Sequence, residues 1–288
     1  MSVNTNVASV LAMGAERLRA GASAAAAANA TLDAGLLLAH TLRTTRVRLM
    51  TDGASAVAPA AVERYRVLIE RRAAGEPLAY LTGEREFWSL PLRVSRAVLV
   101  PRPETELLVE RALALRAAPE GRVLDLGTGS GAIALALASE RPRWQVTATD
   151  ISTAALAVAR ANAVHLGRTS IDFRQGSWFA PLAGARFDLI VSNPPYVAAD
   201  DPALGDPALA HEPRRALTPG ADALRCLREI ARDAPQHLEP GGWLLLEHGA
   251  AQAAAVRHEL VLAGCRYVRS HRDLAGHERI TEGQYDPL

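Results

Sequence analysis

The stretch Val123-Leu124-Asp125-Leu126-Gly127-Thr128-Gly129-Ser130-Gly131 decides how this chain folds. An apolar run ends in three glycines at alternate positions, and the apolar segment 132–140 then has the length of a helix. Glycines allow a tight turn and let a ligand lie against the backbone, while a helix N-terminus offers free N–H groups. A second acid, Asp150, ends the next strand candidate, 145–149. There a carboxylate can accept hydrogen bonds from both hydroxyls of a ribose. Strand, loop, helix, strand and acid together predict a nucleoside-containing ligand, where a glycine loop alone would be a plain turn.

On both sides of this stretch, strands and helices alternate. Strands are expected at 122–126, 145–149, 170–174, 187–191, 242–247, 267–272 and 278–281. Helices are expected at 104–115, 132–140, 153–166, 221–231 and 252–262. Val-, Leu- and Ile-rich strands separated by helices predict an α/β fold with a mostly parallel sheet covered on both faces. Residues 1–80 read as helices: Val7, Val10, Leu11 and Leu18 fall near a 3.6 period, as do Leu32, Leu36, Leu37, Leu38 and Leu42. Val62, Tyr65, Leu68 and Ile69 mark another helix, opened by Pro59 near its first turn. The Ala-rich stretch 20–30 is either a linker or a further helical turn. Between the two regions, 86–94 alternates as a strand and 97–100 follows as a second, with Ser95-Arg96 as the turn. The expected domains are 1–80, a hairpin linker at 81–103, and 104–288.

Asn193-Pro194-Pro195-Tyr196 follows the strand 187–191, at the strand edge where open α/β sheets bind ligands. Two prolines stiffen the loop and leave carbonyl oxygens as acceptors. That combination suits a planar NH2 group, whose delocalised lone pair makes the nitrogen a poor nucleophile. The Asn193 side-chain oxygen and the Pro194 carbonyl would hold its two N–H bonds and stabilise the positive charge that develops on attack. Tyr196 would pack on the flat group. Asn193, Pro194 and Tyr196 are therefore the candidate catalytic residues, and Asn193, Pro194, Pro195 and Tyr196 the candidate substrate pocket.

Composition excludes several classes. The 288 residues are 49% apolar and 22% charged, ordinary for a globular chain of about two domains. All 32 basic residues are Arg, so no lysine Schiff base or P-loop lysine is available. A net charge of +1 argues against a protein that coats nucleic acid. Cys226 and Cys265 are too few for a disulfide framework or a four-cysteine zinc site, and the eight histidines lack metal-ligand spacing, so no metal is expected. No apolar run reaches a membrane span, and the start lacks a secretory pattern, so a cytoplasmic protein is expected.

The loop G-T-G-S-G resembles motif I of class I methyltransferases that use S-adenosylmethionine. N-P-P-Y occurs in methyltransferases acting on adenine N6 and on glutamine N5. The segments Glu76–Gly83, Glu86-Phe87-Trp88, Val100-Pro101-Arg102-Pro103-Glu104-Thr105-Glu106, Glu212-Pro213, 244–249 and His277-Glu278-Arg279 separate the two. With them, the chain resembles the peptide chain release factor glutamine N5-methyltransferases over almost its whole length. That resemblance implies a seven-stranded class I methyltransferase sheet, a small N-terminal helical domain and a β-hairpin linker. It also implies transfer of a methyl group from S-adenosyl-L-methionine to the glutamine of the Gly-Gly-Gln motif in class I release factors, by a monomer, without direct nucleic-acid binding. Gly127, Thr128, Gly129, Ser130 and Gly131 would line the methionine part of the cofactor, with Asp125 near its ammonium, Asp150 at the ribose, Trp178 at the adenine and Asn193 touching both cofactor and substrate. Arg102 and Glu104 would either order the cofactor pocket or form a structural turn. Glu212 would either brace the stretch 200–217 or serve packing alone, and Phe87 and Trp88 would face substrate or hairpin core. His248 reads as structural. The rival readings are an adenine-N6 methyltransferase acting on DNA or RNA, and a non-catalytic cofactor-binding module.

Overall fold

The computed structural model describes residues 5–21 and 23–287, and the chain divides into two compact units. The first comprises the residues up to Gly83 together with Gly205–His211. It contains α1 (Val7–Arg19), α2 (Ala24–Ala28), α3 (Ala30–Leu42), α4 (Arg46–Thr51), α5 (Pro59–Ala73) and α6 (Leu78–Thr82). Helix α1 starts at a capping box: Ser9 N–H donates to the Asn6 side chain, while Asn6 N–H donates to Ser9 Oγ. Pro59 opens α5 at its first turn, where its missing N–H costs nothing. The Ala-rich stretch forms α2, capped by Ser23. Val10, Leu18, Leu37, Leu38, Tyr65 and Ile69 form the core, whereas Leu32 lies outside it, 40% exposed. Gly14 is required at the α1–α5 crossing, since a Cβ there would lie 2.0 Å from the Tyr65 hydroxyl. A buried ion pair, Arg72 Nε to Asp33 Oδ2 at 2.7 Å, ties α5 to α3.

The second unit opens with the hairpin β1 (Glu84–Phe87) and β2 (Leu90–Arg93). After it come α7 (Glu106–Leu115), β3 (Gly121–Leu126), α8 (Ala132–Glu140), β4 (Trp144–Asp150), α9 (Thr153–His165), β5 (Asp172–Gln175) and β6 (Phe187–Ser192). The unit ends with α10 (Arg214–Leu217), α11 (Arg225–Asp233), β7 (Leu238–Glu247), α12 (Ala253–Leu262), β8 (Cys265–Arg272) and β9 (Glu278–Tyr285). The sheet has seven strands in the order β5-β4-β3-β6-β7-β9-β8. Pairing is parallel from β5 through β7 and antiparallel on both sides of β9. Alternate residues feed two cores. Val123, Leu189, Val191 and Leu245 pack with α7, α8 and α9, while Leu124, Leu126, Ile190, Leu244 and Leu246 pack with α11 and α12. A sheet buried on both faces explains the unbroken apolar runs.

Three sequence expectations need correction. The hairpin turns at Trp88 and Ser89, not at 95–96, and 97–100 is a loop rather than a strand. Trp88 and Ser89 have φ of 51° and 58°, a two-residue turn in the left-handed region that neither residue type advertises. Two side chains hold it from outside the hairpin: Glu106 accepts from Trp88 N–H and Glu140 from Trp88 Nε1, each at 2.8 Å. Helix α11 starts at Arg225 rather than 221, because the Asp222 carboxylate accepts from Leu224 N–H and holds a turn. Strand β9 runs on past Thr281 through Glu282. That buried carboxylate is matched by Arg111 at 3.1 Å, Arg269 at 2.6 Å and His271 at 3.0 Å, so a charge sits inside a strand that alternation alone would end.

Candidate active site

A cavity of about 320 Å³ opens at the C-terminal ends of β3, β4 and β6 in the second unit. Its size falls at the low end of the range for small-molecule pockets. All five residues of the glycine loop except Gly131 line it, together with Asp150, Trp178, Asn193 and Pro195.

The loop is shaped by its own backbone and by the neighbouring strand. Gly127 N–H and Thr128 N–H both donate to Thr149 O at 2.9 Å. Gly129 N–H donates to Asp150 Oδ2 at 2.9 Å, and Asn162 Nδ2 donates to Ser130 O at 2.9 Å. Gly129 has φ +56°, and nothing lies within 4 Å of where its Cβ would be. Packing within the protein does not demand that glycine; the left-handed backbone and the open space beside it do. Gly131, φ +84°, has no such room: a Cβ there would meet Leu135 and Ala159 at 3.1–3.2 Å.

Asp125 is fully buried and does not line the cavity. Its Oδ2 accepts from Thr128 Oγ1 at 2.6 Å and from Ala134 N–H at 3.2 Å, so it caps α8 from below where Gly131 has no side chain to do so. Burial pushes its carboxyl up to about 7, against the pull of those two hydrogen bonds. Its Oδ1 has no partner among the described residues.

Asp150 also receives Ser152 N–H at 2.8 Å. Burial raises its carboxyl, while these N–H donors and the charge of Arg215 oppose the rise. Each carboxylate oxygen keeps a lone pair for a further donor. Trp178 has φ 45° and lies over Gly127, its ring 3.4 Å from where a Cβ would be. Its indole N–H donates to Glu229 at 3.1 Å. Next to Asp150, Ile151 is 59% exposed on the cavity wall. An apolar side chain left open there gives a flat ligand group a surface to lie on.

The N-P-P-Y tetrad divides. Asn193 and Pro195 line the cavity, while Pro194 is buried and Tyr196 half-buried off its wall. Asn193 Nδ2 donates to Thr105 Oγ1 at 3.1 Å, which leaves its Oδ1 as an acceptor. The Tyr196 hydroxyl donates to Glu247 Oε1 at 3.2 Å, and Tyr196 O accepts from Gln252 Nε2 at 2.8 Å. The tyrosine is thus clamped at both ends, and burial raises its hydroxyl above the usual range.

Glu212 is buried and ties its own segment to residues 100–102, accepting from Val100 N–H at 3.0 Å and from Arg102 at 2.5 Å. Arg102 and the neighbouring residues 97–99 line the cavity, so this clasp shapes one wall. Glu104 is exposed. Phe87 belongs to the core, with Trp88 packed against it. His248 is fully buried, with Thr281 Oγ1 at 2.7 Å, and burial lowers its pKa, which fits a structural role. Sequence reasoning missed Thr105, Glu247, Ile151, Asn162 and Arg215. Only Ile151, an apolar residue directly after the strand-end acid, carried a local signal.

Residues 103–256 match the family model described as Methyltransferase small domain, and residues 10–83 match the PrmC N-terminal domain. A release factor glutamine methyltransferase of Xylella fastidiosa is 52% identical over 88% of this chain and 92% of its own length. One from Pseudomonas aeruginosa is 50% identical over 89% of this chain and 93% of its own. The chain belongs to the release factor glutamine methyltransferase family. A methyltransferase structure from Pyrococcus furiosus, 18% identical with a TM-score of 0.53, covers 78% of this chain and 98% of its own, and shows the shared fold. As a family member the chain is an enzyme that transfers methyl groups, and its seven-stranded sheet is the class I methyltransferase fold. Among the described residues no helix is long and apolar enough to cross a membrane.

Proposed function

We propose that this chain methylates the side-chain amide nitrogen of the glutamine in the Gly-Gly-Gln motif of class I translation release factors. The observation that carries the reading is Asn193. Its amide nitrogen is taken up by Thr105, which leaves its oxygen as an acceptor, and the residue lines a cavity framed by the glycine loop.

The residues fit S-adenosyl-L-methionine. Gly129 leaves a cradle that a Cβ would fill, and Asp150 has lone pairs for ribose hydroxyls. Trp178 and Ile151 offer apolar surface for an adenine. Gly127, Thr128, Ser130 and Gly131 would complete the methionine side. When bound, the cofactor supplies a methyl group on a sulfonium sulfur, an electrophile open to a nitrogen nucleophile.

The chain's own contribution is orientation and charge stabilisation. Asn193 Oδ1 and the Pro194 carbonyl accept the two N–H bonds of the substrate amide and favour its pyramidal form. One acceptor of this kind is worth roughly 3–4 kcal/mol. Pro195 stiffens the loop, and Tyr196, held by Glu247 and Gln252, limits how the amide can turn. The helical residues 1–80 serve recognition of the protein substrate, and 81–103 join them to the catalytic residues 104–288. The enzyme acts as a cytoplasmic monomer, where its substrate works, and does not bind nucleic acid directly.

The test is transfer of a labelled methyl group to release factor or to DNA in parallel. Label in the release factor, lost with Asn193→Ala, is the expected result. Label found only in DNA would overturn the reading in favour of adenine methylation.

A further inference from the structure

Among the described residues only two carboxylates line the cavity, Asp150 and Glu229. Asp150 stands at the end of β4, its oxygens set by the N–H groups of Gly129 and Ser152. Glu229 lies on α11, and nothing in the methyl-transfer reading uses it.

Trp178 ties that second carboxylate to the glycine loop. Thr149 Oγ1 donates to Trp178 O at 3.1 Å and pins the backbone to the end of β4. The six-membered edge of the indole lies over Gly127, with Cζ3 3.4 Å from where a Cβ would be. The N–H on the opposite edge donates to Glu229 Oε2 at 3.1 Å. The ring therefore spans the distance from the glycine loop to α11, and Glu229 stands at the end away from the loop. Arg225 Nη1 comes only to 3.5 Å from Glu229 Oε1. The rest of that guanidinium is engaged by Pro219 O, at 2.9 Å from Nε and 2.5 Å from Nη2. A carboxylate has about four lone-pair sites, so Glu229 keeps acceptor capacity beyond the indole.

We propose that Glu229 selects the base of the bound nucleoside by accepting a hydrogen bond from the 6-amino group of adenine. This role rests on the S-adenosyl cofactor reading above. Adenine carries its amino group at the end of the base away from the ribose, and Asp150 is the carboxylate left for the ribose. Ser177 also lines the cavity, but a hydroxyl both donates and accepts and does not tell an amino group from a carbonyl. An ionised carboxylate only accepts, so it favours NH2 and leaves its own lone pairs unmatched when that group is missing. The Glu229 side chain is 32% exposed, so water softens the penalty and the selectivity is moderate.

The test is calorimetric titration with two ligands, S-adenosyl-L-homocysteine and its purine analogue, in which hydrogen replaces the 6-amino group. The wild type should bind the amino form roughly tenfold or more tightly, as one charge-assisted hydrogen bond allows. In Glu229→Ala that ratio should fall close to one, with affinity for the purine analogue little changed. Glu229→Gln, which keeps the shape and one oxygen, should lie between the two. Trp178→Phe loses the indole N–H but keeps the carboxylate, so both ligands should bind more weakly while the ratio persists. An unchanged ratio in Glu229→Ala, with both ligands weakened by the same factor, would overturn the proposal and leave Glu229 as a prop for Trp178. A wild-type ratio near one would overturn it as well. A wild type that bound neither ligand would instead overturn the cofactor assignment, and the proposal with it.

Discussion

The glycine loop and the N-P-P-Y notch face one cavity, but they are built differently. The loop is held by backbone: two N–H groups on Thr149 O, one on the Asp150 carboxylate, and left-handed turns at Gly127, Gly129 and Gly131. The notch is held by side chains from far along the sequence, Thr105 on Asn193 and Glu247 on Tyr196. A backbone device fails through strain and lost room. A side-chain device fails through a wrong hydrogen-bond direction while its shape survives. Substitutions should therefore separate affinity from turnover, according to the region they touch.

The largest expected effect is on the notch. Asn193→Ala should lower kcat by about 10²–10³ or more, with cofactor affinity largely kept. Single-turnover kinetics beside calorimetric titration checks it, and equal losses in both would erase the contrast. On the loop side, Asp150→Ala should leave kcat at saturation closer to normal and weaken cofactor binding. Removing a charge-assisted bond costs roughly 1.5–3 kcal/mol, and calorimetry showing wild-type affinity would contradict the ribose assignment. Gly129→Ala is milder. A left-handed backbone costs a non-glycine residue about 1–2 kcal/mol, and the new methyl occupies ligand space. An affinity loss of around tenfold is expected, with the melting temperature lowered by a few degrees by the strain.

The smallest effect lies away from both regions, at Glu282. Burial alone would raise its carboxyl, but hydrogen bonds from Arg111 and Arg269, with His271 beside them, leave it below the usual range. A depressed folded-state pKa gives stability that is present above the unfolded value, near 4.5, and is lost as pH falls through the folded one. Melting temperature should therefore drop on acidification below about pH 4.5, and Glu282→Gln should flatten that dependence. A variant that kept the wild-type acid slope would show that the cluster contributes little.

The same contrast explains what the sequence disclosed. The glycine loop, Asp150 and the alternating strands are local patterns, so the sheet and one lining of the cavity were readable from short windows. N-P-P-Y was readable as a motif, but its supports were not. Thr105 lies 88 residues before Asn193, and Glu247 lies 51 after Tyr196. Only folding brings them together. Asp125 was placed near a ligand because acids in such motifs invite that reading. The bare N-cap at Gly131, which gives it a capping duty as well, is visible only in three dimensions. The hairpin was misread for a related reason: its turn residues, Trp88 and Ser89, are held by Glu106 and Glu140 rather than by their own preferences.

The most direct measurement is mass mapping of a class I release factor after reaction with this enzyme and S-adenosylmethionine. A single added methyl on the side chain of the Gly-Gly-Gln glutamine, absent with Asn193→Ala, is the predicted result. An unmodified glutamine, or a methyl group carried by another residue, would contradict the account.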